Sequence, residues 1–151
     1  MKTQNRYFWI GLLIYAVSFF LVALGATKSS PGNQPLLGFA CAYMALLDPL
    51  LEAKQALLDN VPLLFGPGFY LSLVISGWIN PIFLLTAFLL LSGLYPRAVR
   101  VLRIVIVSMI PFCWVFAFYY IRTYPREGHF LWIAGMLLVL FSDKIPTSHG
   151  S

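Results

Sequence analysis

Ser72, Ser76 and Asn80 recur every four residues inside an uncharged apolar run, and Pro81 follows directly. At 3.6 residues per turn, this spacing puts the three polar side chains along one helical face, with Gly77 beside them. Pro81 has no N–H, so the Gly77 carbonyl loses its helical donor. A kink there would present that carbonyl to an ion or a polar solute. The same residues also suit helix packing, because small and polar side chains join helices where water is absent. Pro111 repeats the device in a later apolar run, freeing the Val107 carbonyl with Ser108 beside it. The candidate helix-packing or pore-lining residues are therefore Ser72, Ser76, Gly77, Asn80, Pro81, Ser108 and Pro111. Mid-run prolines also occur in discontinuous transporter helices. No repeated halves are visible here, so kinked packing is the expected purpose.

Other chemistry-bearing residues are sparse. Gly11, Tyr15, Ser18, Val22 and Gly25 share one face of the first apolar run, which reads as a packing seam. His129 and Asp143 bracket the last run, too far apart to pair, and are expected to be solvated end residues. Cys41 and Cys113 lie 72 positions apart and form no CxxC pair. Isolated apolar cysteines are the expectation, with a bridge in an oxidising compartment as the lesser alternative. There is no GxSxG, HExxH, Walker A or GxGxxG motif and no nucleophile with a plausible base. No catalytic constellation, metal site or cofactor is expected. Away from their ends the apolar runs contain no Asp, Glu, Lys or His, which argues against a proton relay, a charged-substrate transporter and a voltage sensor.

The elements that position these residues follow from composition. The chain has 151 residues, 60% hydrophobic and 10% charged, where soluble domains carry about 25% charge. The reading is a single-domain, all-α integral membrane protein of about four transmembrane helices. The spans fall near 7–26, 69–94, 103–121 and 129–142, around an outer loop 27–68. Ala23-Leu24-Gly25 resembles a signal-peptidase site, but the run before it is longer than a typical signal core. Within the outer loop, Leu36–Leu47 is too short to span. Asp48-Pro49 reads as an N-cap and first helical position. The short helix expected there is amphipathic and interfacial, with Leu50, Leu51, Leu57 and Leu58 opposite Glu52, Gln55 and Asp59. The last run is the shortest, and Phe116, Phe118, Tyr119 and Tyr120 read as an interfacial belt.

The net charge of +5 comes mostly from residues flanking the runs, not from a basic stripe, so nucleic acid is not an expected partner. Lys2, Arg6, Arg97, Arg100 and Arg103 are the topology determinants. They place both termini on the cytoplasmic side, with the acid-free 95–103 connection decisive. A fifth span through 36–58 would put those arginines outside.

WIGLLIYAVSFF near the start, the Asn80-Pro81 pair and GHFLWIAGMLL in the last run resemble a group of small, uncharacterised bacterial four-helix membrane proteins. The resemblance implies a bacterial inner membrane and no activity. The function expected is that of a non-catalytic accessory or assembly subunit whose partners are the bilayer and other membrane subunits or itself. An immunity protein reading toxins through the 27–68 loop is a variant of this. The alternative is a small homo-oligomeric channel or transporter for a neutral solute or ion, lined by Ser72, Ser76 and Asn80. Pigment or quinone binding between aromatic helices is a third reading.

Overall fold

α1 spans Arg6–Ser18 and ends where the Ser18 hydroxyl donates back to the Tyr15 carbonyl at 2.6 Å. This differs from the helix expected through residue 26. After a turn at Phe19 and Phe20 the chain becomes extended as β1, Val22–Gly25. β1 is the centre of a small antiparallel sheet, flanked by β2 (Leu36–Leu37) and β3 (Tyr124–Pro125). The Arg126 N–H donates to Ala23 and the Gly38 N–H to Leu21, so the extended segment has ladder partners that a continued helix would forgo. The computed structural model describes residues 6–25, 35–59, 67–115, 118–119 and 124–145. Lys2, the turn-rich stretch 27–34, Gly66, Phe116, Tyr120 and Arg122 lie outside them. Apart from the small sheet, the described chain is mostly helical.

α2 is one helix, Gly38–Asp59, and runs straight through Pro49. The expected helix start at Asp48-Pro49 is therefore corrected: the apolar segment 38–47 is already helical. A mid-helix proline costs the hydrogen bond to the carbonyl four residues back, here Ala45. That carbonyl packs against Gly77 of the next helix, where a Cβ on Gly77 would collide with the Ala45 carbonyl. The side chains of Glu52, Gln55, Leu57, Leu58 and Asp59 are outside the described set.

α3 (Pro67–Ser92) and α4 (Pro96–Val115) form an antiparallel hairpin. Both helices pass through their internal prolines, Pro81 and Pro111, without interruption. α4 begins at Pro96, because proline suits the first helical position, so Arg97 and Arg100 belong to its first turns and not to a connection. The buried residues of α4, Val99, Ile106 and Cys113, recur every seven positions, the period of a narrow coiled-coil seam. The segments Leu71–Ser92 and Pro96–Val115 are long and apolar enough to cross a membrane. In the turn between them Gly93 has φ +68° and open space around it. Gly93→Ala is therefore expected to cost about 1 kcal/mol from the left-handed backbone alone, read as a lowered melting temperature with no change in helix content.

α5 (Glu127–Leu140) packs antiparallel along α1 and leads into a 3-10 turn, Ser142–Lys144. The two helices touch backbone to backbone. A Cβ on Gly135 would stand 2.6 Å from the Tyr15 nitrogen and 2.9 Å from the Gly11 carbonyl oxygen. The core lies where α1, α3, α4 and α5 meet, around the fully buried Ile79, Phe83, Ile106, Met136, Val139 and Leu140.

Candidate functional site

Asn80 sits near the middle of α3 and turns its side chain toward α1 and α5. Its Oδ1 accepts two hydrogen bonds, from the Tyr15 hydroxyl at 3.0 Å and from the Trp132 indole N–H at 2.9 Å. One carbonyl oxygen thus ties three helices together. Each donor is fixed by its own surroundings. Tyr15 is buried and packs its ring on Phe83, with centroids 4.4 Å apart, and edge-on to Phe19. Trp132 is half-buried against the core and lies over His129, centroids 5.3 Å apart. The neighbours of Asn80 in this junction are thus apolar and aromatic.

The other residues of the polar stripe are also placed. Ser72 is buried. Ser76 donates to the Ser72 carbonyl at 2.7 Å, and its hydroxyl lies within reach of the Cys113 thiol on α4. Gly77 meets α2, as described above. The stripe therefore turns as it descends: Gly77 contacts α2, Ser76 faces α4, and Asn80 faces α1 and α5. Ser108 and Pro111 lie on the exposed side of α4. Ser108 donates to the Val105 carbonyl at 2.8 Å, not to the carbonyl freed by Pro111. Helical carbonyls point toward the C-terminus, so a serine reaches those three or four residues behind it, and Val107 is out of range.

Three further expectations meet a definite geometry. Gly11, Tyr15 and Ser18 are buried and line one face of α1, whereas Val22 and Gly25 continue in β1 and not in the helix. His129 is partly buried among Trp114, Phe130 and Trp132: its Nε2 is shut from solvent and has no hydrogen-bond partner among the described residues. Asp143 is not a lone end charge either, because it accepts a 2.7 Å hydrogen bond from Arg103. Both cysteines are free thiols, with Cys113 buried.

The ion pair brings the start of α4 to the end of α5, so Arg97, Arg100, Arg103 and Lys144 gather at one end of the molecule. Arg6 opens α1 toward the same end, because α1 contacts the 142–144 turn. The small sheet occupies the opposite end. There Arg126 donates to both carboxylate oxygens of Glu127, at 3.2 and 3.3 Å, and this bonding holds the exposed Glu127 carboxyl below its ordinary range. Among the described residues no three His, Cys, Asp or Glu side chains converge as metal ligands would.

Sequence reading missed the two donors to Asn80 and the Arg103–Asp143 pair. A signal existed for the first: tryptophan and tyrosine inside apolar helices need acceptors for their polar tips, and Asn80 is the one amide in the long runs. Comparison with protein-family models, with curated proteins and with solved structures gave no match to this chain.

Proposed function

We propose that the chain is a multi-pass integral membrane protein whose role is non-catalytic: an accessory or assembly subunit of a larger membrane complex. The observation that carries the reading is how polar and apolar surface is divided. Within the apolar stretches of α3 and α4, Asn80 bonds inward to Tyr15 and Trp132, and Ser76, Thr86 and Ser108 bond back to their own helix. Leu71, Trp78, Leu85, Phe88, Ile104 and Phe112 remain exposed. Only 33% and 17% of the two long apolar segments are buried. A soluble monomer does not leave that much contiguous apolar surface in water. A helix in lipid or against a membrane partner has reason to.

In this reading α1, α3, α4 and α5 are the four spans, with α1 and α5 extended by the small sheet at the outer end. Thirteen residues of helix in α1 rise only about 20 Å, short of the ~30 Å hydrocarbon core. The sheet makes up part of the deficit where interfacial water is available to its edges. The gathering of Arg6, Arg97, Arg100, Arg103 and Lys144 at one end supports cytoplasmic termini. The homo-oligomeric pore draws less support, because Asn80 is engaged inside one chain and does not stand free to line a path.

The test is extraction of the full chain, tagged at its C-terminus, in a mild detergent, followed by the mass and composition of the purified particle. A particle with other membrane subunits at fixed stoichiometry is expected. A homo-oligomer alone that conducts a neutral solute or ion in liposomes, with flux lost in Asn80→Leu, would replace this reading by the channel.

A further inference from the structure

At the basic end, the last turns of α3, the first turns of α4 and the end of α5 enclose an open groove of about 770 Å³. Its walls differ in character. Leu89, Leu90, Ile104 and Val107 line it along the helices, and Arg100, Arg103 and Lys144 border it with Asp143. Three cations face one carboxylate, and Asp143 is committed to Arg103. Neither Arg100 nor Lys144 has an ion pair among the described residues.

Arg103 is already engaged. Its guanidinium gives one N–H to Asp143 at 2.7 Å and lies 5.9 Å from the Phe141 ring centroid. Only 12% of its side chain is exposed. Its Nε is shut from solvent and has no partner among the described residues. With Nη2 on Asp143 and Nε closed off, Arg103 is engaged within the wall, and the cations left to meet a ligand are Arg100 and Lys144. Guanidinium groups are matched to phosphate oxygens, which accept from two of their N–H groups at once.

We propose that this groove is a binding site for one anionic glycerophospholipid. The phosphodiester accepts from Arg100 and Lys144 beside the Arg103–Asp143 pair, while an acyl chain lies along Leu89, Leu90, Ile104 and Val107. The proposal rests on the membrane reading above, with this end at the cytoplasmic face. Basic clefts between helices on that face suit acidic headgroups. A free phosphate shares the headgroup chemistry but would leave the apolar wall uncovered, so the lipid is the source to which the groove commits.

The test uses the full chain purified in detergent, titrated with dioleoyl phosphatidylglycerol, dioleoyl phosphatidylcholine or inorganic phosphate, and read by native mass spectrometry and thermal melting. One retained phosphatidylglycerol and a raised melting temperature are expected, with neither from phosphatidylcholine or phosphate. R100Q/K144Q leaves the Arg103–Asp143 pair in place and is expected to weaken phosphatidylglycerol binding at least tenfold. Val107→Trp, which fills the apolar wall without touching a charge, is expected to abolish the retained lipid. Equal binding of both lipids, an equal shift from phosphate alone, or unchanged binding in both variants would overturn the site. Alkaline carbonate extraction of native membranes separates the two failures. A chain that stays in the membrane but does not discriminate lipids loses only the site, and a chain released into the supernatant loses the membrane reading as well.

Discussion

Gly135→Val is expected to destabilise the protein by about 3 kcal/mol or more, the upper part of the range for overpacking, and to leave little material with α1 docked. The reason is that the three atoms nearest the missing Cβ are all backbone. The nearest atoms are the Tyr15 nitrogen at 2.6 Å and the Gly11 carbonyl oxygen and Tyr15 Cα at 2.9 Å. No side-chain rotamer can move these atoms aside. The helices must separate, and separation lifts Tyr15 away from Asn80 and Phe83 together. Close small-residue crossings are a main source of helix association when both states are surrounded by lipid, because dispersion then replaces the hydrophobic effect as the driving term. A control on the same helix is Leu131→Val, at a partly exposed position, expected to be nearly neutral. The measurement is denaturant titration of the detergent-solubilised chain followed by circular dichroism. A Gly135→Val curve lying over the wild-type one would show that α1 and α5 do not make this crossing.

That crossing was half visible in the amino-acid sequence. Gly11, Tyr15 and Ser18 fall on one face by helical period alone, and the structure buries that face. Its partner, Gly135, carries no local mark, because a glycine within FLWIAGMLLVL is tolerated in any apolar helix. The break after Ser18 was invisible for a related reason. Phe19 to Gly25 is apolar and serves helix or strand equally well, and the strand depends on β2 and β3, of which β3 lies about a hundred residues later. At Asp48-Pro49 the local signal misled: capping chemistry pointed to a start, but an apolar segment already helical continued through. The two long apolar helices, α3 and α4, with their prolines, were legible because length and hydropathy are one-dimensional properties. Asn80 was legible as a polar residue in a costly place, but its purpose lay with residues 52 and 65 positions away.

For Asn80 that purpose can be measured. Asn80→Leu is expected to destabilise the fold by about 2–3 kcal/mol. The volume barely changes, so the cost is that of two donors left without an acceptor: roughly 1–3 kcal/mol each in a dry interior, and about 0.6 on average, 1.7 at most, among membrane helices. Tyr15→Phe removes one of those donors and is expected to cost about 1 kcal/mol alone. In the Asn80→Leu background the same change should cost much less, because the hydroxyl no longer has Asn80 to bond. Trp132→Phe behaves similarly toward the indole N–H, with an added packing loss that the cycle subtracts. The expected result is therefore a positive coupling of about 0.5–1.5 kcal/mol for each pair, together with an Asn80→Leu variant that remains helical but melts lower. Strict additivity in both cycles would mean that the bonds to Oδ1 carry no stability. Asn80 would then be a polar residue kept in an apolar helix without a structural return, and the case for a solute path along α3 would rise accordingly.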